Sequence, residues 1–273
     1  MALEIFDFHS HVAGVAHPLS PLLCDEGALK ASLDAQGISA RAISTPPEFL
    51  GGETPARAND RIAATVRADP RLVGLATVDA YGGDAGAREL ERAVRELGLR
   101  GVFIESARGD LLPDAAEAQP TFAAAAALGI PVFLHPVPDR TLKARFAKCG
   151  RMSERLTRGA VNSAAVFAMI DSGMFERHAG LKIVVTALAL GGLMLGGPVP
   201  QGVHIDTTGH HPVMLRASLE LRGPGRVVAG TDWPVVQEKA LAERLERMLE
   251  SFGLDAADRQ RVAGGNARAL LRL

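Results

Sequence analysis

Short apolar runs that end in polar or turn residues recur along the whole chain, and they predict strands. Runs of this length, bounded by turn residues, are typical of buried strands. The predicted strands span residues 3–8, 40–44, 72–79, 99–105, 130–135, 181–188, 203–206 and 227–232. The pattern therefore predicts eight strands spread evenly over the sequence.

Helical patterns lie between many of these strands. The clearest covers residues 84–97, where apolar positions follow the spacing i, i+3, i+4, i+7 and Gly98 ends the pattern. Two other predicted helices, 123–128 and 238–252, are also followed by a glycine, the residue that best adopts the left-handed C-cap conformation. The chain thus alternates strand and helix.

This alternation over roughly 250 residues predicts a closed (β/α)8 TIM barrel that occupies residues 1–273 as one domain. A doubly wound open sheet is the alternative, but no Gly-x-Gly-x-x-Gly follows the first strand. Residues 136–180 exceed what one connecting helix needs. We therefore expect an insertion at about 137–159 that forms a loop or lid over the barrel mouth.

Composition narrows the class of protein. The 273 residues are 47% hydrophobic and 22% charged, and 30 Lys and Arg nearly balance 31 Asp and Glu, so bulk charge predicts no nucleic-acid partner. Cys24 and Cys149 form no recognisable metal or disulfide pattern, and no signal peptide is apparent, which favours the cytoplasm. The apolar stretch 181–200 is interrupted by glycines, so we expect no membrane span.

The segment Asp7-Phe8-His9-Ser10-His11 carries the first candidate chemistry. Alternate residues of a strand share a face, so Asp7, His9 and His11 are expected to point the same way. Two imidazoles in this register can hold one metal ion. A structural histidine pair at a polar barrel mouth is the alternative for this segment alone.

Other strands also end in residues of the type that bind metals. The chemistry of a TIM barrel lies at the carboxyl ends of its strands, and the ends of interest are Glu105, His135, Asp206 and Asp232. Alone, Asp232 could equally cap the next helix. Together, the imidazoles of strands one and five and the carboxylate of strand eight predict one divalent metal, with zinc as the first candidate.

These residues, in this order, resemble the amidohydrolase superfamily, in the branch that contains aminocarboxymuconate semialdehyde decarboxylase and related hydrolases, hydratases and lactonases. The resemblance rests on the segments 7–11, 58–60, 70–76, 97–102, 133–136, 173–177, 181–184, 206–207, 230–234 and 265–267. It implies a (β/α)8 barrel with one divalent metal, commonly zinc or manganese, bound through the positions of His9, His11, His135 and Asp232.

One position departs from that branch, which usually has a histidine after strand six that polarises substrate or handles a proton. Here Ala187 or Ala189 occupies this position, depending on whether one counts from Leu181 or from Gly191. Alanine cannot carry a proton, and a general acid or base contributes about 10² to 10⁴ in rate. His210 and Glu105 are the candidates to replace the missing imidazole.

The leading hypothesis is a hydrolase that attacks a small carboxylate-bearing lactone, ester or amide through a metal-bound hydroxide, with Asp232 taking the proton of the water. Mouth residues expected to bind the substrate are Arg108, Arg140 or Arg151, together with His211. The alternative is a non-oxidative decarboxylase of a small aromatic or enal acid, and a second alternative is a catalytically impaired metal-binding barrel. A homodimer that binds a small molecule is expected.

Overall fold

The computed structural model describes residues 3–195, 199–208, 211–237 and 240–273. Its eight strands all run parallel and pair in the order of the sequence. They are β1 (Ile5–Asp7), β2 (Ile38–Ile43), β3 (Leu72–Thr77), β4 (Gly101–Glu105), β5 (Pro131–His135), β6 (Lys182–Val185), β7 (Val203–Asp206) and β8 (Val227–Val228). The predicted barrel architecture is confirmed.

Contacts between the first and last strands close the barrel. The Phe8 N–H donates to the carbonyl of Ala229 at 2.8 Å, and Ser10 forms a parallel bridge with Trp233. The last strand is shorter than the predicted 227–232, because the chain leaves the regular ladder after Val228. This seam between β1 and β8 is where part of the candidate site is built.

Helices surround the strands. They are α1 (Glu26–Gln36), α2 (Pro55–Ala68), α3 (Asp84–Arg95), α4 (Gln119–Leu128), α5 (Arg140–Arg145), α6 (Arg151–Asp171), α7 (Met174–Arg177), α8 (Leu190–Leu193), α9 (Pro212–Arg222), α10 (Leu241–Ser251), α11 (Ala256–Gln260) and α12 (Asn266–Leu271). Gly129 ends α4 with φ +65°, as its sequence position predicts, and its N–H donates to Ala126. The predicted alternation of strands and helices is therefore present.

The segment 137–159 differs from a loop. It contains α5, the 3₁₀ turn Ala147–Cys149 and the first turns of α6. No residue of α5 is buried, so this helix has no apolar face. The sequence therefore lacked the pattern that indicates a helix. The position of this segment over the barrel mouth as a lid stays a prediction.

The apolar stretch 181–200 begins as predicted, with β6. It then continues as the 3₁₀ turn Ala187–Ala189 and the short helix α8. Among the helices in the described part of the chain, none is both long enough and apolar enough to cross a membrane.

Two apolar clusters stabilise the barrel. One lies between the strands and the surrounding helices. The other joins Phe6, Phe8, Phe103 and Phe133 from the strands to Leu270 of the last helix. The phenylalanine side chains therefore fill the space beneath the strand ends, which makes the floor of the site rigid.

Candidate metal centre

Four side chains from three distant parts of the chain meet at the carboxyl ends of the strands. His9 and His11 follow β1, His135 is the last residue of β5, and Asp232 follows β8. One ligand atom from each lies within 4.8 Å of all the others. The structure thus brings together the four ligands that the sequence predicts.

The distances within this cluster suit a single ion. The His9 Nε2 and His11 Nε2 atoms are 3.1 Å apart, and Asp232 Oδ1 lies 3.4 Å and 3.2 Å from them. Four ligands at about 2.1 Å from one ion would be separated by roughly 3.4 Å in a tetrahedral site. The three imidazoles are buried, whereas the Asp232 side chain is 22% exposed. A divalent metal site is therefore present, with its open side at the mouth.

A second layer of polar groups orients His9. Asp206 Oδ2 lies 2.7 Å and Thr208 Oγ1 lies 2.6 Å from His9 Nδ1, so the Nδ1 proton is held by these oxygens and Nε2 is left for the metal. A Cβ at Gly230 would lie 2.9 Å from the His9 Cβ. Only glycine allows the segment after β8 to approach His9 this closely.

The protonation of the cluster reflects burial and mutual charge. Burial lowers the pKa of His135 well below its usual value, and the neighbouring His11 and His9 lower it further. Burial would raise the pKa of Asp232, but the positive charges of His9 and His11 make the net shift downward. Burial lowers the pKa of His9, but the charges of Asp232 and Asp206 raise it more, so its net shift is upward. Because neutral imidazole and ionised carboxylate are the forms that coordinate a divalent cation, metal binding must displace a proton from His9.

Asp7 does not share the face of the two histidines, so that prediction was wrong. The regular strand ends at Asp7, and beyond it the alternation of side chains is lost. The Asp7 carboxylate instead accepts hydrogen bonds from Arg41 Nε at 2.7 Å, from the His9 N–H at 3.2 Å, and from the N–H and Oγ1 of Thr231 at 2.9 and 2.8 Å. Asp7 therefore ties the segment of His9 to the segment of Asp232.

We expect Asp7→Asn to weaken both the fold and the metal site. Arg41 is fully buried, and removal of one partner of a buried ion pair costs about 3–5 kcal/mol. Lost support behind a metal ligand typically costs about 10- to 100-fold in metal affinity. Urea denaturation and a metal titration measure the two effects.

The matched control is Asp34→Asn, which removes a carboxylate paired with Arg71 on the surface and 78% exposed. Such pairs contribute about 0–1 kcal/mol. An Asp7→Asn protein as stable as this control would contradict the role of Asp7 as the link across the seam.

Glu105 ends β4 beside the metal cluster, since its partner in the register of β4 and β5 is His135. Burial, together with the negative charge of Glu48, raises the pKa of Glu105 to about 7 despite the opposing charges of Arg108 and Arg158. Glu105 also lines a cavity of about 240 Å³ at the ends of β3 and β4, with Tyr81 on its wall. A carboxyl with this pKa can hold a proton at neutral pH.

Arg158 is a mouth residue that the sequence reasoning missed. It lies on α6, and its guanidinium donates to the carbonyl of Pro136, directly after the ligand His135. Its positive charge contributes to the lowered pKa of His135 and of Asp232. Asn162 of the same helix donates to the carbonyl of Leu134 at 3.0 Å. The helix is thereby fixed against the end of β5.

The other predicted substrate-binding residues differ in position. Arg108 lines the same cavity as Glu105, where its guanidinium is paired with Asp79 at 2.5 Å. Arg151 begins α6, Arg140 begins α5 and His211 precedes α9, and all three are exposed. Among the described contacts, none connects these three to the metal cluster. His210 lies outside the described residues.

The structure distinguishes the two alanines after β6. The Ala187 N–H donates to Asp206 Oδ1 at 3.3 Å, and Asp206 is the residue that orients His9. Ala189 is instead packed against α6, where its carbonyl accepts from Ser163 Oγ at 3.0 Å. Ala187 therefore occupies the position at the site, and it brings no side chain that can transfer a proton.

The comparisons agree with this geometry. The model of the amidohydrolase family (Amidohydro_2) matches residues 7–273. The chain is 27% identical to the gamma-resorcylate decarboxylase of Polaromonas sp., over 89% of this chain and 82% of that protein. It is 26% identical to 2-amino-3-carboxymuconate-6-semialdehyde decarboxylase of Dictyostelium discoideum, over 79% of this chain and 65% of that protein.

Solved structures with the same fold cover the whole chain. The 5-carboxyvanillate decarboxylase of Sphingomonas paucimobilis superposes with a TM-score of 0.81 at 24% identity, over 100% of both chains. A dihydroxybenzoic acid decarboxylase from Polaromonas sp., whose structure holds manganese and the inhibitor 2-nitroresorcinol, superposes with a TM-score of 0.78 at 20% identity, over 99% of this chain and 97% of that one.

These relatives correct the predicted reaction. Hydrolysis was the leading hypothesis, and the relatives are decarboxylases, so they favour the alternative. The error has a physical reason, because a divalent metal held by three histidines and one aspartate can act as a Lewis acid in either reaction. The absence of the histidine after β6 was the reason for preferring hydrolysis.

Proposed function

Because the chain belongs to the amidohydrolase family, we propose that it is a metal-dependent decarboxylase that removes carbon dioxide from a small aromatic hydroxy acid. The observation that carries this proposal is the similarity of nearly the whole chain to gamma-resorcylate decarboxylases, together with an intact four-ligand cluster. The raised pKa of Glu105 supports it further, because decarboxylation requires a proton for carbon.

His9, His11, His135 and Asp232 would hold one divalent ion, either manganese or zinc. Manganese is the ion bound by the Polaromonas decarboxylase, and the donor set of nitrogen and oxygen atoms suits both metals. When bound, the ion supplies a Lewis acid that orients the substrate and withdraws electron density from it.

In this proposal, Glu105 donates its proton to the ring carbon that bears the carboxyl group. The carbon–carbon bond then breaks, its electron pair returns to the ring, and carbon dioxide leaves. Solvent returns a proton to Glu105. Asp232 is a poorer donor, because its neighbouring histidines lower its pKa.

Arg158 is proposed to hold the substrate carboxylate. Its guanidinium is 20% exposed at the mouth and is kept in place by Glu154 at 3.2 Å and by the Pro136 carbonyl. The cavity of about 240 Å³ that Glu105 lines is smaller than the roughly 300–1,000 Å³ of sites for drug-sized ligands. A substrate with a single ring fits this volume.

The first test compares two reactions of the protein loaded with manganese or zinc. One assay measures carbon dioxide released from gamma-resorcylate, 5-carboxyvanillate and 2-amino-3-carboxymuconate-6-semialdehyde, and the other measures acid released from lactones and esters of similar size. We expect turnover only in the first assay, with kcat in the usual range of about 1–10³ s⁻¹ for the preferred acid.

The metal-free protein prepared with a chelator is the control, and its activity should return when the ion is restored. Acid release from lactones or esters without any carbon dioxide from the acids would reject the proposal.

A further inference from the structure

A second cavity lies at the opposite end of the barrel from the metal centre. It has a volume of about 550 Å³ and is bounded by the beginnings of β6 and β7, by the turn before β8 and by α12. Its lining includes Lys182, His204 and Arg226. None of these residues contributes to the proposed reaction, so the cavity needs an explanation of its own.

The charge of this cavity is one-sided. Lys182 and Arg226 are cationic, and none of the described residues that line it is acidic. Among the described residues, neither Lys182 nor Arg226 takes part in an ion pair. Arg222 lies close by, but its guanidinium already donates to the backbone carbonyls of Val199, Pro200 and Val203. Two partly buried positive charges therefore face the cavity without a counter-charge.

Hydrogen bonds hold Arg226 in position. Its Nη2 donates to Gln201 Oε1 at 3.2 Å, and its Nη1 lies 3.4 Å from His204 Nε2. The other ring nitrogen of His204 lies 3.1 Å from the Gly202 carbonyl, so Nδ1 carries the proton and Nε2 accepts from the guanidinium. Burial, with the positive charges of Arg226 and Arg222, lowers the pKa of His204 to about 4. His204 is thus a neutral buried support for Arg226.

We propose that this cavity is a second binding site, which takes a small oxyanion bearing carboxylate or phosphate groups between Lys182 and Arg226. The volume is that of a ligand pocket, and a guanidinium and an ammonium that line one cavity are groups that bind such anions. Free phosphate and a small dicarboxylate share this chemistry. The site shares no residue with the metal centre, so this proposal does not rest on the proposed decarboxylation.

Isothermal titration calorimetry of the metal-loaded protein with inorganic phosphate, and separately with malonate, tests the proposal. We expect binding of at least one of the two anions, weakened at least tenfold by Lys182→Gln and by Arg226→Gln. Lys182→Arg, which keeps the charge, should bind within about threefold of the parent. Lys30→Gln, on α1, removes an equal charge elsewhere and should bind like the parent.

Circular dichroism and thermal unfolding establish that each variant is folded, and a crystal of the parent protein keeps the test decisive if a neutral variant is not. A crystal soaked in selenate should show the anion between the two cations by its anomalous signal. The proposal is overturned if neither anion binds the parent, or if both neutral variants bind as the parent does. Anion bound only at the metal centre would also overturn it.

Discussion

Asp232→Asn should contain almost no metal where the parent protein contains about one ion per chain, and its kcat/KM for decarboxylation should fall by at least about 10³, or ~4 kcal/mol. Asp232 supplies the only carboxylate among the four ligands, and a neutral amide is a much weaker donor to a divalent cation. Asparagine is the appropriate replacement, because Asp232 has φ +64° and asparagine tolerates this left-handed conformation.

Elemental analysis of the purified protein measures the metal, and the carbon dioxide assay measures the activity. Asp206→Asn should have a smaller effect and reduce metal affinity about 10- to 100-fold. Asp206 orients His9 but is not one of the four ligands. Asp171→Ala, at the exposed end of α6, is the control. Full metal content in Asp232→Asn would rule out Asp232 as a ligand.

Glu105→Gln should lower kcat by about 10² to 10⁴ without loss of metal, since it removes the proposed general acid and leaves the ligands intact. The pH dependence gives the sharper result. The pKa of Glu105 is about 7, and the protonated form is the donor, so kcat of the parent should fall as the pH rises above about 7. Glutamine cannot titrate, so the remaining activity of the variant should lack this limb.

Arg158→Gln is the contrasting variant. It should raise KM for the carboxylate substrate, and kcat should still fall above neutral pH. The apparent pKa of Glu105 should rise slightly, because the positive charge of Arg158 lowers this pKa in the parent. If Glu105→Gln keeps both the rate and the pH profile of the parent, the proton comes from another group. Steady-state kinetics between pH 5.5 and about 9 separates these outcomes.

The ligands were predictable from the sequence because each follows a short apolar strand. His135, for example, ends a run of buried residues, and the barrel topology brings such ends together whatever the intervening helices do. The order of the motifs along the chain indicated the family, and the family in turn implied a bound metal. These features depend on local patterns, which one sequence contains.

The remaining parts of the site depend on tertiary contacts. Arg158 lies in a segment that resembled a loop, and its place at the mouth is set by the packing of α6 on the ends of β5 and β6. Asp7 was assigned to the wrong face because strand alternation was extended beyond the last regular pair. The reaction itself was not predictable, since the four ligands indicate a bound metal but not which bond the metal helps to break.

The spacing of the ligands along the chain has a consequence for biosynthesis. Three of the four ligands have been synthesised once translation reaches residue 135. Asp232 and the residues that form the seam with β1 follow about 100 residues later. At roughly 5–20 residues per second, a ribosome needs about 5–20 s for that interval. Because Asp232 is one of the four ligands, the complete ligand set exists only after translation has passed residue 232.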